Sequence, residues 1–346
     1  MPPTFRKPNL RLESKQNNMD LISVANEPNL IKVSCPNAKV TGKFGSSLLY
    51  AYGQFNFHPR AYEVLMNIDK LKYRSDDVIL TMFPKSGSTW LSECIYLIVN
   101  GYKYELASKD SIEYRFPQID SPSHDVFNLI LERFYNVNQR RLIKASIPPT
   151  LLVDKPNLIE VKQHAIPKVI SIFRNPRDVL VSFYHHCKTV KHYDIQFTFD
   201  EFFDTFVSGK IPCGPIWLMY NETYKYHKEN PKTTLTIFYE DMKRDLRSQI
   251  KRICEFLDMQ EPVGEEGWSR LLDHLSVERM RQNRTINRHD WTQLGLINTN
   301  GFEFVRKGQV NDWKNFFTEE QSLLFDREIT ANLTPKLRQV YGPQEY

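Results

Sequence analysis

A chain of 346 residues with 41% hydrophobic and 25% charged side chains has an ordinary globular balance, and room for one large α/β domain or two small ones. The net charge of +5 suits an anionic ligand, but no dense Lys/Arg block of the kind that tracks a nucleic-acid backbone is present, so no nucleic-acid partner is expected. Five scattered cysteines without a C-x-x-C pair argue against a disulfide framework or a zinc site, and no apolar run has the length of a membrane span or the form of a signal peptide; a cytoplasmic setting without a membrane partner is the expectation.

The first residues, Met1 to Asn29, are polar and proline-bearing, which predicts a disordered or loosely attached arm over 1–40 ahead of a single domain over 41–346. Val78–Phe83 reads as a buried strand, Pro84–Trp90 as a small-residue loop, and Leu91–Val99 as a helix. Asp110–Asn138 is polar and aromatic without a clear period, either an insertion that shapes a pocket or a plain surface excursion. Arg141–Ala145 reads as a second strand, ended by Pro148-Pro149, and Lys168–Phe173 as a third. Asn175 is placed to cap, and Pro176 to open, a helix reaching His186. Thr233–Tyr239 is the fourth strand, and Leu246, Ile250, Ile253, Cys254 and Leu257 then fall on one helix face. This alternation predicts an α/β fold, a mostly parallel sheet flanked by helices.

Lys85, Ser86, Gly87, Ser88, Thr89 and Trp90 form the most telling stretch. A strand, a small-residue loop with a lysine and a helix start can hold a phosphate with backbone N–H groups, the helix dipole and a full charge. The order of lysine and glycine is not that of a Walker A loop. By itself the stretch also suits an ordinary turn with a surface lysine. The other strand ends add weight, because ligands of open parallel sheets gather there. Lys144 lies near the end of the second strand, Arg174 follows the third with Ser182 two helical turns on, and Tyr239 ends the fourth. Their convergence would suit a nucleotide with more than one anionic group. Arg306-Lys307-Gly308 adds two cations beside a glycine that permits close backbone approach.

Together these residues resemble the cytosolic sulfotransferases, from about Phe55 to Tyr341. That family's Pro-Lys-Ser-Gly-Thr-Thr-Trp loop is present with Ser88 for one threonine, Phe238–Lys243 keeps its Phe-Tyr-Glu-Asp-Met-Lys, and Arg306–Gly308 its Arg-Lys-Gly. The resemblance implies a P-loop-like sulfotransferase fold and the co-substrate 3′-phosphoadenosine 5′-phosphosulfate (PAPS), with no metal. It implies that residues 85–90 hold the 5′-phosphosulfate, with Trp90 against the adenine and Tyr239 on the adenine side. Arg174, Ser182, Arg306, Lys307 and Gly308 would take the 3′-phosphate. Ser276 stands in the family's Thr-Ser-Phe, where Val277 replaces the phenylalanine. The implied reaction moves a sulfuryl group to a small acceptor, a phenol or an alcohol, with Lys85 and Lys144 stabilising charge.

The departure is at the chemistry. The family reads Lys-Thr-His-Leu-Pro with histidine as general base; this chain reads Lys144-Ala145-Ser146-Ile147-Pro148. A serine hydroxyl has no basic nitrogen, and loss of a positioned base costs on the order of 10²–10⁴ in rate. Three outcomes stay open: another side chain serves as base, the acceptor needs little help, or the protein binds nucleotide without useful turnover. His185 and His186 follow Ser182 on one helix, where packing or exposure is expected; His58 and His124 lie in segments that border a possible acceptor cavity, as do Phe55–Arg60, Asp110–Asn138 and Trp291–Phe302. The family's dimer segment keeps Lys314 and Thr318 but has Glu319 for its valine and Leu323 for its glutamate, so a monomer or weak dimer is expected.

Overall fold

The computed structural model describes residues 39–45, 47–121, 140–153, 165–191, 193, 195–288, 291, 295–297 and 304–343. Most of the N-terminal arm, Cys35 and His124 lie outside them. Among the described residues seven strands form two sheets. β1 (Val40–Phe44), β2 (Ser47–Tyr52) and β3 (Phe55–Phe57) make an antiparallel sheet. β4 (Val78–Met82), β5 (Leu142–Ala145), β6 (Lys168–Phe173) and β7 (Thr234–Phe238) make a parallel sheet in the order β5-β4-β6-β7. The four strands match the expected ones within a residue at each end. No described helix is long and apolar enough to cross a membrane.

The parallel sheet is covered on both faces, which is why its strands are largely apolar rather than alternating. In β4 every residue is buried, yet successive side chains serve different cores: Ile79 joins one cluster, and Val78, Leu80 and Met82 the other. One face packs on α2 (Ser88–Val99) and α7 (Leu246–Leu257), through Leu91, Cys94, Ile95, Ile250, Ile253 and Cys254. The other carries α3 (Pro176–Thr189), α4 (Phe199–Val207) and α5 (Ile216–Glu229). The helix α1 (Pro59–Met66), which follows β3, joins that second core with the antiparallel sheet. Between β7 and α7 lies the short α6 (Tyr239–Arg244). After α7 come α8 (Gly264–His274), α9 (Val277–Gln282), α10 (Glu319–Asn332) and α11 (Pro335–Tyr341). A polar chain crosses the buried sheet: Thr81 Oγ1 meets Ser171 Oγ at 2.6 Å, Ser171 meets His227 Nε2 at 2.7 Å, and Thr236 Oγ1 lies 2.9 Å from His227 Nδ1. Burial lowers the His227 pKa to about 4, so the ring joins this chain uncharged at neutral pH.

The strand order places the site. β4 lies between β5, which the chain adds on one side, and β6, which it adds on the other. The chain therefore diverges at the carboxyl end of β4, where an open α/β sheet offers a crevice. Asn175 caps α3 by accepting from the Arg177 N–H at 3.1 Å, with Pro176 in the first turn as expected. The helix continues to Thr189, three residues beyond the expected His186.

Candidate active site

β4 ends at Met82 and α2 begins at Ser88, with Gly87 as its N-cap. The turn needs left-handed backbone at Lys85 (φ 71°) and Gly87 (φ 99°). A Cβ on Gly87 would stand 2.5 Å from Cδ2 of Tyr239, so the loop closes against that ring only with glycine. Ser88 and Thr89 occupy the first turn of α2, where unpaired N–H groups and the positive dipole end are found. Ser86 is buried under the loop.

Cations meet around this turn. Lys85 Nζ lies 4.2 Å from the centre of the Phe304 ring. Burial, then repulsion from Arg288, Arg174 and Arg306, lowers its pKa from 10.5 to about 7. Arg174 follows β6 and is 7% exposed. Its backbone is fixed by Tyr220, whose hydroxyl donates to Arg174 O at 2.7 Å and accepts from Arg174 N at 3.1 Å. Its guanidinium donates to the carbonyls of Lys85 (3.2 Å) and Gln309 (3.0 Å) and lies 4.4 Å from the centre of the Tyr239 ring. Its Nε is buried without a hydrogen-bond partner. Arg306 and Lys307 share the Asp312 carboxylate at 2.6 and 2.7 Å. Burial alone would raise that carboxyl, but donors from Lys307, Arg306 and Asn315 outweigh it and hold the pKa at about 2. Gly308 adopts φ 63°, and a Cβ there would come within 2.6 Å of the Val277 side chain.

Trp90 and Tyr239 meet edge to face, 5.6 Å between centroids, and Trp90 Nε1 donates to Leu275 O at 2.9 Å. With Leu275, Val277 and Met280 they line an apolar part of the cleft, a slot whose character suits a planar base. Ser276 is not among the lining residues: its hydroxyl accepts from Arg279 N at 3.2 Å as the N-cap of α9. Its sequence position is thus in place while its side chain caps a helix.

The slot and the cations open into one cleft of about 1390 Å³ of empty space, part of it open solvent. Lys85, Gly87, Ser88, Thr89, Trp90, Ser146, Arg174, Ser182, Tyr239, Arg306, Lys307 and Gly308 all line it, joining the expected residues from distant parts of the chain. Ser86 and Lys144 lie beneath the lining. Lys144 is fully buried; its Nζ makes no hydrogen bond and has Glu113 Oε1 at 3.8 Å. Burial lowers its pKa, with Arg288 acting the same way and Glu113 and Asp120 opposing. Ser146 lines the cleft at the end of β5, and its Oγ accepts from Gln118 Nε2 at 3.2 Å. His58 and His186 also line it. His58 caps α1 with Nδ1, accepting from Ala61 N at 3.4 Å, and His186 packs among Phe183, Tyr193, Trp291 and Phe304. His185 is held at a pKa of about 4 by burial and by Arg306.

Sequence reasoning missed Arg288, Asp120, Gln118 and Phe304. Arg288 takes φ 55° and lies 4.0 Å from the centres of both the Trp291 and Phe304 rings, with Glu113 at 2.7 Å. Nothing in its sequence surroundings marks it; it reaches the cleft by packing between two rings. Of the former dimer segment, Thr318 caps α10 by a capping box with Gln321, and Glu319 and Leu323 are exposed.

The residues present fit a doubly anionic nucleotide. Arg174 Nε is an unsatisfied buried donor, three cations add to burial in lowering the proton affinity of Lys85, and Gly87 leaves room for close approach. Comparison with known proteins agrees. Residues 75–337 match the model of the sulfotransferase domain family. Sulfotransferase 1E1 of Mus musculus is 31% identical over 267 residues, covering 77% of this chain and 86% of that one. The Homo sapiens protein of the same name is 31% identical over 269 residues, covering 77% and 87%. Among solved structures, mouse sulfotransferase SULT7A1 complexed with PAP superposes with a TM-score of 0.62 at 27% identity, covering 82% of this chain and 94% of that one. A retinol dehydratase in complex with retinol and PAP shares the fold, with a TM-score of 0.72 at 24% identity and coverage of 87% and 92%.

Proposed function

The chain belongs to the sulfotransferase family, and from that premise we propose that it moves a sulfuryl group from PAPS to the hydroxyl of a small acceptor, a phenol or an alcohol. The observation that carries this reading is the convergence of Lys85, Arg174, Arg306 and Lys307 on one cleft beside the Trp90–Tyr239 slot. PAPS supplies an activated sulfuryl group on a phosphate leaving group. Residues 85–89 are suited to its 5′ end, and Arg174, Ser182 and Arg306–Gly308 to its 3′-phosphate. Lys85, once an anion offsets its cationic neighbours, is charged and stabilises charge that develops on the leaving oxygens. Tyr220 holds the Arg174 backbone, and Asp312 holds Arg306 and Lys307, so that these cations are preorganised. Aromatic and neutral polar side chains in the cleft that Ser146 lines suit an uncharged acceptor: Tyr193, Trp291, Phe304, Gln118 and Ser121. The charge of Glu319, where the family's dimer segment has its valine, supports a monomer or weak dimer.

The second reading is a PAPS- or PAP-binding protein without turnover. It rests on Ser146, which lines the cleft where the family has its imidazole base. Incubation with PAPS and panels of phenols and alcohols, with products identified by mass, separates the two. Sulfated product supports transfer; no product from any acceptor, with PAP still bound, supports the second reading.

A further inference from the structure

We propose that the proton released by the acceptor hydroxyl ends on the Asp120 carboxylate, delivered through the Ser146 hydroxyl. The inference rests on the transfer reading above. Its ground is how the chain from Phe116 to Ser121 runs beside β5. Lys144 N donates to Pro117 O at 2.9 Å and Ile119 N to Lys144 O at 2.9 Å, an irregular extension of the sheet. That pairing brings Asp120 to the end of β5, where both its carboxylate oxygens accept from Ser146 N at 3.1 Å. Gln118, the bridge partner of Lys144, bonds both the Ser146 hydroxyl and Asp120.

Asp120 is fully buried, and among the described residues these charged or titratable groups act on it or on its neighbour Lys144. Lys144 on β5 is the nearby cation, with Glu113 and Arg288 beyond it. Cys213 and Tyr193 also feel its charge; burial raises both their pKa values well above the ordinary range, so both are neutral. Burial raises the Asp120 pKa, and bonds from Ser146 and Gln118 with the Lys144 charge offset only part of the effect, leaving it at about 6. An ordinary imidazole titrates at about 6.5. This carboxylate therefore has nearly the basicity of the missing histidine, and it touches the residue that replaced it. Of the histidines that line the cleft, His58 uses Nδ1 to cap α1, and His186 packs among aromatic rings and is tested as a base below.

Proton and electron pairs balance as follows. The acceptor oxygen bonds to sulfur while the bond from sulfur to the 5′-phosphate oxygen breaks, its electron pair staying on that phosphate. The acceptor proton passes to Ser146 Oγ as the serine's own proton passes to Asp120. In the structure Ser146 Oγ accepts from Gln118 and its hydroxyl also meets the Cys213 thiol; the relay requires a turn about the Ser146 Cα–Cβ bond that sets Oγ against the carboxylate that the serine N–H already touches. Ser146 ends unchanged and Asp120 neutral; the proton leaves by the reverse path when water replaces product.

The test uses the full chain, PAPS and 2-naphthol. Asp120→Asn should lower kcat about 10²–10³-fold while PAP affinity by calorimetry stays within about threefold. The wild-type kcat should rise with pH through about 6, the limb of a base that must be ionised, and Asp120→Asn should lack that limb. Adding Ser146→His to Asp120→Asn should restore activity. In the PAP-bound protein the ¹³C carboxyl resonance of Asp120 should titrate near 6. Turnover of Asp120→Asn within about threefold of wild type, an Asp120 titration at an ordinary value of about 4, or a limb abolished by His186→Gln and kept in Asp120→Asn would each overturn the proposal. A wild type that binds PAP but is inert toward every phenol and alcohol of the panel defeats the transfer reading and this inference together; an active Asp120→Asn defeats this inference alone.

Discussion

Raising the pH from 7 to 9 should weaken PAP binding about 50-fold, through Lys85. In the free protein burial, Arg288, Arg174 and Arg306 hold its pKa at about 7. A bound polyanion offsets the cationic repulsion and returns the pKa toward its ordinary 10.5. The sign follows from that rise: binding favours charged lysine, so the contribution is complete below pH 7 and is lost as the free protein deprotonates above it. Each pH unit above 7 then costs close to tenfold, and the half-titrated starting point reduces the factor for two units from ~100 to ~50. Calorimetry at pH 8 in two buffers of different ionisation enthalpy should report uptake of roughly 0.9 proton per PAP bound. Lys85→Met should bind weakly and without this uptake. Below about pH 6, protonation of the phosphate monoesters should reduce affinity again. Flat affinity from pH 7 to 9 with no proton uptake would refute the reasoning.

Gly87→Ala places a methyl against Tyr239 at a left-handed position, and PAP affinity measured by fluorescence should fall at least about tenfold, with a stability loss of about 1–3 kcal/mol. Arg174→Gln removes a buried cation; PAP affinity should fall roughly 10–100-fold while affinity for adenosine 5′-monophosphate changes little, as competition binding would show. Arg177, fully buried on α3 and bonded to Tyr341 O at 2.9 Å and to Asp326, should cost about 3–5 kcal/mol in urea unfolding when changed to alanine, because a buried ion pair is broken from one side. Ser146→His tests the site's history: a large rise in transfer marks a site that lost a base, and no rise marks one already served by other groups.

The parallel sheet was legible because β4 to β7 are short, apolar, β-branched runs, the form imposed by burial on both faces. The order β5-β4-β6-β7 was not, since nothing local states which strand each run pairs with. The antiparallel sheet was missed because β1 is largely exposed with a register shift between Val40 and Gly42, and β3 has three residues. In the site, residues on strand ends were found through motifs and through the rule that ligands gather there. Asp120, Gln118 and Arg288 come from irregular segments and are placed by tertiary pairing, which leaves no local period. Ser276 shows the converse: the motif position is right, but its hydroxyl is used within the backbone as a cap.

The most direct measurement is equilibrium binding of adenosine 3′,5′-bisphosphate against adenosine 5′-monophosphate to the wild-type chain at pH 7. Cations on both sides of the slot lead us to expect a preference for the bisphosphate of about 100-fold, two charge-assisted contacts of roughly 1.4 kcal/mol each. Equal affinity for the two nucleotides, or no binding by folded protein, would contradict the account.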